Sequence, residues 1–147
     1  MKKNQKTLKS KTYQGLQGHI PKLKTPSIDT WEFQYPGSET EIKISIPEFT
    51  CICPKTQLPD FATLEIAYIP NNECLELKSL KEYILFYRDQ GIFHEHVVNK
   101  ILNDLVHSCN PLWMQVLGVF NARGGIQTTA VAQFPLQDKH DCQEHHH

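Results

Sequence analysis

Apolar and polar residues alternate at the start of the central region, where Ile42, Ile44 and Ile46 stand between Glu41, Lys43 and Ser45. That is the period of a strand buried on one face, and Pro47 closes it. Residues Ala62 to Ile69 predict a second strand. The stretch between, from Glu48 to Asp60, holds Pro54, Pro59 and several small polar residues and reads as a loop, the setting in which chemistry tends to sit. The period then changes. Leu80, Tyr83, Ile84 and Tyr87 share one helical face behind Ser79 as a cap, and this helix is expected to stop near Gly91. His94, Val97, Val98, Ile101, Leu102 and Leu105 mark a second helix, ended by Asn110-Pro111. Two further strands, Trp113 to Asn121 and Ile126 to Phe134, flank Ala122-Arg123-Gly124-Gly125, whose glycines suit a hairpin turn with positive φ. The order is β-β-α-α-β-β. An α+β fold follows, with a four-stranded antiparallel sheet carrying both helices on one face, and its two open edges invite pairing with further copies.

Composition narrows the class. At 147 residues, 39% hydrophobic and 21% charged, the chain is expected to form one soluble catalytic domain over residues 28–138. No apolar run approaches the roughly 18 residues of a membrane helix, and no signal-peptide core follows the first lysines, so the cytoplasm is the expected compartment. Charge is uneven: residues 1–24 carry seven lysines and no acid, leaving −8 on the rest of a chain whose net is −1. Residues 1–27 are therefore expected to be a basic arm, disordered or extended, with Pro21 to Ser27 as its lead-in to the domain. Such an arm reads either as a phosphate- or nucleic-acid-binding tail or as a solvated terminus. Residues 139–147 form a tail whose Glu144-His145-His146-His147 resembles a purification-tag remnant. Five scattered cysteines, an odd number, point to reduced thiols rather than a disulfide framework.

Cys53 precedes Pro54, with Asp60 in the same loop. Thiolate, not thiol, is the nucleophile, and a positive neighbour such as Lys55 would favour it. A nearby aspartate can give or take a proton as an adduct forms. A buried structural cysteine beside a turn-forming aspartate is the plainer reading of the same spacing. Cys51, two positions away, points to the same side in an extended segment. Cys51 and Cys53 with His94 and His96 make a poor zinc pattern, and no metal is expected. His94-Glu95 opens the second helix. Histidine can relay protons near neutral pH, and a carboxylate can accept paired N–H bonds from an amidine edge or simply complement the helix dipole. Glu76-Leu77-Lys78-Ser79-Leu80-Lys81 sets two lysines and a serine at a helix start, where phosphates bind. Arg123 sits in the glycine turn, where a guanidinium can clamp a phosphate. With no GxGxxG or Walker motif in the sequence, a nucleotide cofactor would be held outside those frames.

Together these segments resemble the NADPH-dependent 7-cyano-7-deazaguanine reductases of queuosine biosynthesis, the QueF family in its short, single-module form. The likeness runs from about Ile42 to Phe134. It rests on Glu48-Phe49-Thr50 leading into Cys53-Pro54, on Pro59-Asp60-Phe61, and on Glu-x-Lys-Ser-Leu-Lys at Glu76 to Lys81. Phe93-His94-Glu95 and Arg123-Gly124-Gly125 complete it. The resemblance implies a tunnelling fold whose subunits pair sheet edges into barrels, as pentamers stacked into decamers, with active sites between subunits. It implies that Cys53 attacks the nitrile to give a thioimide and that Asp60, helped by His94, donates a proton. Leu75, Glu76, Leu77, His94 and Glu95 would bind the deazaguanine, and Lys78, Ser79, Lys81 and Arg123 the NADPH. No direct nucleic-acid partner is expected. Leu77 stands where many members carry serine, and Cys51 adds a thiol where serine is common.

Two other classes compete. A GTP cyclohydrolase-like enzyme of the same fold would need zinc ligands, and a non-catalytic tRNA- or nucleotide-binding module would depend on the basic arm. Under the reductase reading, removal of residues 1–24 is expected to leave turnover largely intact.

Overall fold

A computed structural model describes residues 17–136. Residues 1–16, which hold most of the basic arm, Cys142 and the 139–147 tail lie outside the described residues. Four strands form the main antiparallel sheet in the order β2-β3-β5-β6. They are β2 (Ile42–Ile52), β3 (Pro59–Ile69), β5 (Trp113–Phe120) and β6 (Thr129–Phe134). Two helices, α1 (Leu77–Leu85) and α2 (His94–Cys109), lie between the hairpins in the chain. The core follows from strand periodicity. Ala62, Leu64, Ile66 and Tyr68 of β3 are buried in register with Phe120, Gly118, Val116 and Met114 of β5. Against that face α2 buries Val97, Val98, Ile101, Leu102 and Leu105, each worth roughly 1.5–3 kcal/mol relative to exposure.

Helix and sheet meet most closely at Gly118. A Cβ built there would stand 2.9 Å from both Val98 Cγ2 and Phe120 Cε2, and 3.4 Å from Leu64 Cδ2. The glycine is thus a spacing requirement of the α2–β5 contact. Tyr83 ties the two helices together, donating to Asp104 Oδ2 at 2.6 Å and sharing a 2.8 Å hydrogen bond with Tyr87.

Several boundaries depart from the sequence reading, each for a physical reason. Pro47 does not end β2. The strand continues through a bulge between Ile46 and Phe49, and an exposed proline on an edge strand forfeits no ladder bond. The expected loop from Glu48 to Asp60 shrinks to a turn, Cys53–Leu58, because Phe49 to Ile52 pair with Pro59 to Ala62. The cap of α1 is Glu76, not Ser79: the Glu76 carboxylate accepts the N–H groups of Lys78 at 2.8 Å and Ser79 at 2.7 Å. The α-helix ends at Leu85 and a 3₁₀ turn, Phe86–Asp89, carries the chain towards Gly91. The last strand begins at Thr129 rather than Ile126, Ile126 closing the hairpin through a bridge to Arg123. Asn110 ends α2 as expected, in the left-handed conformation at φ 46°.

The N-terminal lead-in is also more ordered than its composition suggests. Gln17–Lys22 form a 3₁₀ turn that inserts Ile20 into the core. Strand β1 (Thr30–Glu32) then pairs antiparallel with β4 (Glu73–Leu75) in a small second sheet. Residues 17–24 are therefore part of the packed domain, and a truncation at residue 24 would open its core.

Candidate active site

The turn after β2 sets the surroundings of the Cys53 thiol from local geometry. Cys53 N donates to Leu58 O at 2.9 Å and Gln57 N to Cys53 O at 2.8 Å, with Gln57 at φ 60° closing the turn. Burial by itself raises the Cys53 thiol. Hydrogen bonds from the Thr56 hydroxyl and from the backbone N–H groups of Thr56 and Lys55 outweigh both that burial and the charge of Asp60, so the net direction is down. Lys55 thus acts on the thiol through its backbone N–H, where the sequence suggested its side-chain charge. Cys51 goes the other way: burial, with the charges of Asp60 and Cys53 adding, pushes it up to about 12. Of the two thiols, Cys53 is the one shifted towards thiolate.

Asp60, at the start of β3, is 5% exposed and faces Cys51 across the ladder. Its Oδ2 lies 3.0 Å from His94 Nε2, and its Oδ1 accepts from Arg123 Nε at 2.8 Å. The His94 ring is stacked on Phe120 with centroids 3.7 Å apart and planes 9° from parallel, which fixes the direction of Nε2. A hydrogen bond between Nε2 and Oδ2 gives the two groups a path along which a proton can pass. Groups from three separate parts of the chain thus meet here: an acidified thiol and a buried carboxylate seven residues apart, an oriented imidazole and a guanidinium. Glu95, exposed on the first turn of α2, flanks them. The Arg123 contact differs from the phosphate clamp expected of it, since the hairpin turn delivers its guanidinium to Asp60.

The remaining sequence candidates lie elsewhere in the fold. Leu75 N donates to Tyr68 Oη at 3.1 Å, and Tyr68 and Asp60 stand at opposite ends of β3, on the order of 25 Å apart at about 3.3 Å per residue. Leu75, Glu76, Leu77, Lys78, Ser79 and Lys81 therefore form a second group that begins far from Cys53 and runs along α1 to Leu77 and Lys81, which line a hollow with Ile44 to Glu48 of β2. Within it Leu75 is buried, whereas Leu77 is 62% exposed. Glu76 is held below the ordinary carboxylate range by the Ser79 and Lys78 N–H groups. Those two donors are thereby occupied. Ser79, 6% exposed, spends its hydroxyl on Glu76 O at 3.0 Å and on Asp29 N at 2.9 Å. A polyanionic dinucleotide accordingly fits the exposed Lys78 and Lys81 ammonium groups, one turn apart on α1, better than it fits Ser79 or the helix N–H groups.

Three contributors escaped the sequence reading. Thr56 carried a local signal, a hydroxyl three residues after a cysteine in a turn. Phe120 was legible only as a strand residue. Gln17 contacts the first turn of α2 from 76 residues before Phe93. Among the described residues no three His, Cys, Asp or Glu side chains are grouped to hold a metal ion, so the ligand set that a zinc-dependent reading needs is not assembled there.

A family profile described as "QueF-like protein" matches residues 59–139. The chain is 54% identical over 106 residues to the NADPH-dependent 7-cyano-7-deazaguanine reductase of Thioalkalivibrio sulfidiphilus, covering 72% of this chain and 82% of that one. It is 57% identical over 111 residues to the protein of that name from Vesicomyosocius okutanii, covering 74% and 84%. The Chloroherpeton thalassium protein of the same name is 51% identical over 115 residues, 78% of this chain and 99% of its own. Among solved structures, the apo form of the archaeosine synthase QueF-Like superposes with a TM-score of 0.61 at 22% identity, covering 65% of this chain and 94% of that one. This last likeness is one of fold.

Proposed function

The chain belongs to the QueF family, with the tunnelling fold, and on that premise we propose that it reduces the nitrile of 7-cyano-7-deazaguanine to the aminomethyl group with NADPH, in queuosine biosynthesis, through a thioimide on Cys53. The observation that carries the covalent route is the meeting of a thiol shifted towards thiolate with the Asp60–His94 pair.

The Cys53 thiolate adds to the nitrile carbon, converting the C≡N triple bond to C=N as the C–S bond forms. The nitrogen takes a proton from Asp60, which His94 replenishes across the 3.0 Å contact. Arg123 pairs with Asp60 in its anionic form, so protonation of Asp60 weakens that contact. Glu95 accepts the N–H groups of the deazaguanine amidine edge. A site built for such donors rejects analogues lacking them by roughly 10⁴–10⁵. Four electrons separate nitrile from amine, and two NADPH molecules, bound in turn, would supply them as two hydrides. Lys78 and Lys81 hold its phosphates. Water must be kept from the imine stage, which would otherwise hydrolyse.

The distance of Leu75 and its neighbours from Cys53 within one copy supports a site shared between copies. Glu76, Leu77 and the lysines of one subunit complete the Cys53 pocket of the next, with the open edges β2 and β6 joining subunits into rings, as pentamers paired into decamers. No helix among the described residues is long and apolar enough to cross a membrane, and cytoplasmic residence belongs to this proposal.

The decisive test is intact mass after mixing the protein with 7-cyano-7-deazaguanine without NADPH. An adduct of substrate mass, absent in Cys53→Ala and discharged by NADPH with release of the amine, is the expected result. No adduct and no change in absorbance would overturn the reading.

A further inference from the structure

We infer, building on the reductase reading above, that Gln17 is a positioning residue: from the N-terminal 3₁₀ turn it sets the first turn of α2, and through it the recognition carboxylate Glu95 and the proton-relay His94. Helix α2 begins without a cap of its own, because its N-cap is Phe93, whose side chain offers no acceptor. Four N–H groups at a helix start need outside partners. Gln17 provides one from across the fold. Its Oε1 accepts from Phe93 N at 3.4 Å and stands 3.0 Å from His96 Nδ1, while its Nε2 donates to Gly91 O at 3.3 Å. One amide therefore grips both sides of the residues that precede and open the helix.

The gripped segment is also tied to the nucleophile's strand. Ile52 N donates to Gln90 O at 2.9 Å and Ile92 N to Ile52 O at 3.0 Å, and Ile52 directly precedes Cys53. His94 and Glu95 thus start from a segment held by β2 on one side and by Gln17 on the other. The 3₁₀ turn has anchors besides that amide. Ile20 is buried in the core, and Pro21 O is approached by Lys100 Nζ at 3.5 Å. A substitution at Gln17 therefore leaves the turn anchored and removes only the grip.

The experiment compares the full-length wild-type chain with Gln17→Met, which keeps the length of the side chain without its polar atoms, and Gln17→Glu, which keeps the acceptor. Three quantities are read: the rate constant of Cys53 adduct formation with 7-cyano-7-deazaguanine, normalised to adduct amplitude, the KM for that substrate, and the rate of Cys53 alkylation by iodoacetamide. For Gln17→Met the adduct rate falls and KM rises, by about tenfold between them, the equivalent of one net hydrogen bond of about 1.4 kcal/mol. Alkylation, which uses neither His94 nor Glu95, stays within about twofold, and Gln17→Glu recovers most of the loss. A Gln17→Met protein whose amplitude or Tm falls while rate constant and KM stay at the wild-type values overturns the positioning role, as does one unchanged in every respect. Absence of an adduct in the wild-type chain would sink the reductase reading and this role with it. A normal wild-type adduct with an unchanged Gln17→Met rate sinks the role of Gln17 alone.

Discussion

Replacing Thr56 by valine isolates how the Cys53 turn makes a thiolate. Valine keeps the β-branched shape and removes the hydroxyl that donates to Sγ, leaving the Thr56 and Lys55 backbone N–H groups in place. A hydrogen bond to a charged group contributes about 1.5–3 kcal/mol. Because the thiol is partly solvated and sulfur is a weak acceptor, the low end applies, about 1.5 kcal/mol. The sign follows from which form loses its partner: the bond favours the anion, so its loss moves the thiol pKa upward. Below that pKa the thiolate fraction falls about tenfold. The surviving thiolate is more basic, however, and with a Brønsted coefficient of about 0.4–0.5 it reacts roughly threefold faster. Net alkylation of Cys53 at the acid end of the profile should therefore drop about threefold to fourfold, while the alkaline plateau rises by about threefold. The two curves cross. Iodoacetamide labelling from pH 5 to 10, read by peptide mass so that Cys51, Cys74 and Cys109 are counted separately, measures this, with Thr56→Ser as the variant that restores the donor. Superimposable wild-type and valine profiles would refute the assignment of Thr56.

Two further predictions concern the frame of the site. Gly118→Ala forces a Cβ against Val98 and Phe120, at 2.9 Å each, and overpacking of this kind costs about 1–3 kcal/mol. Urea denaturation should show a lower midpoint at unchanged slope, and an unchanged midpoint would mean that α2 yields freely. Glu76→Ala removes the carboxylate cap of α1. Because the folded-state pKa of Glu76 lies below its ordinary value, the stability it contributes is full above the ordinary carboxylate range and is lost as pH falls through the folded value. The Tm difference between wild type and variant should therefore be constant from neutral pH down to about 5 and close in more acid solution. A gap that persists at the acid end would exclude the capping charge as its origin.

Much of this fold is written in local periodicity. The isoleucine alternation at 42–46, the ATLEIAYI strand, the apolar face from Val97 to Leu105 and the glycines after Arg123 each announce an element within a dozen residues. Cys53-Pro54, Asp60 and His94-Glu95 are legible in the same way, as reactive residue types in short segments. Features that escaped need partners distant in sequence. Strands β1 and β4 span three residues each, too few to show a period, and exist because Thr30 meets Leu75. Ser79 has the chemistry of a cap, yet its hydroxyl turns to Asp29 N, fifty residues away. Arg123 reaches Asp60, and Gln17 reaches Phe93, only once the sheet has closed.

The bulge at Pro47 has a consequence for how tolerant this protein is of length changes. Between Ile46 and Phe49 strand β2 advances three residues while β3, from Leu64 to Ala62, advances two. One residue is thus surplus, and it acts as a half-step that swaps odd for even along everything downstream. Ile44 and Ile46 face inward before it, Phe49 and Cys51 after it. Deleting that residue would leave Ile46, Phe49 and Cys51 two apart, still facing inward and in the same register with β3. Deleting Thr50 instead, beyond the bulge, would put the pattern out of step and turn Cys53 to the side of the sheet away from Asp60. The strand thus has one residue to spare six positions upstream of Cys53, and none between Phe49 and Cys53.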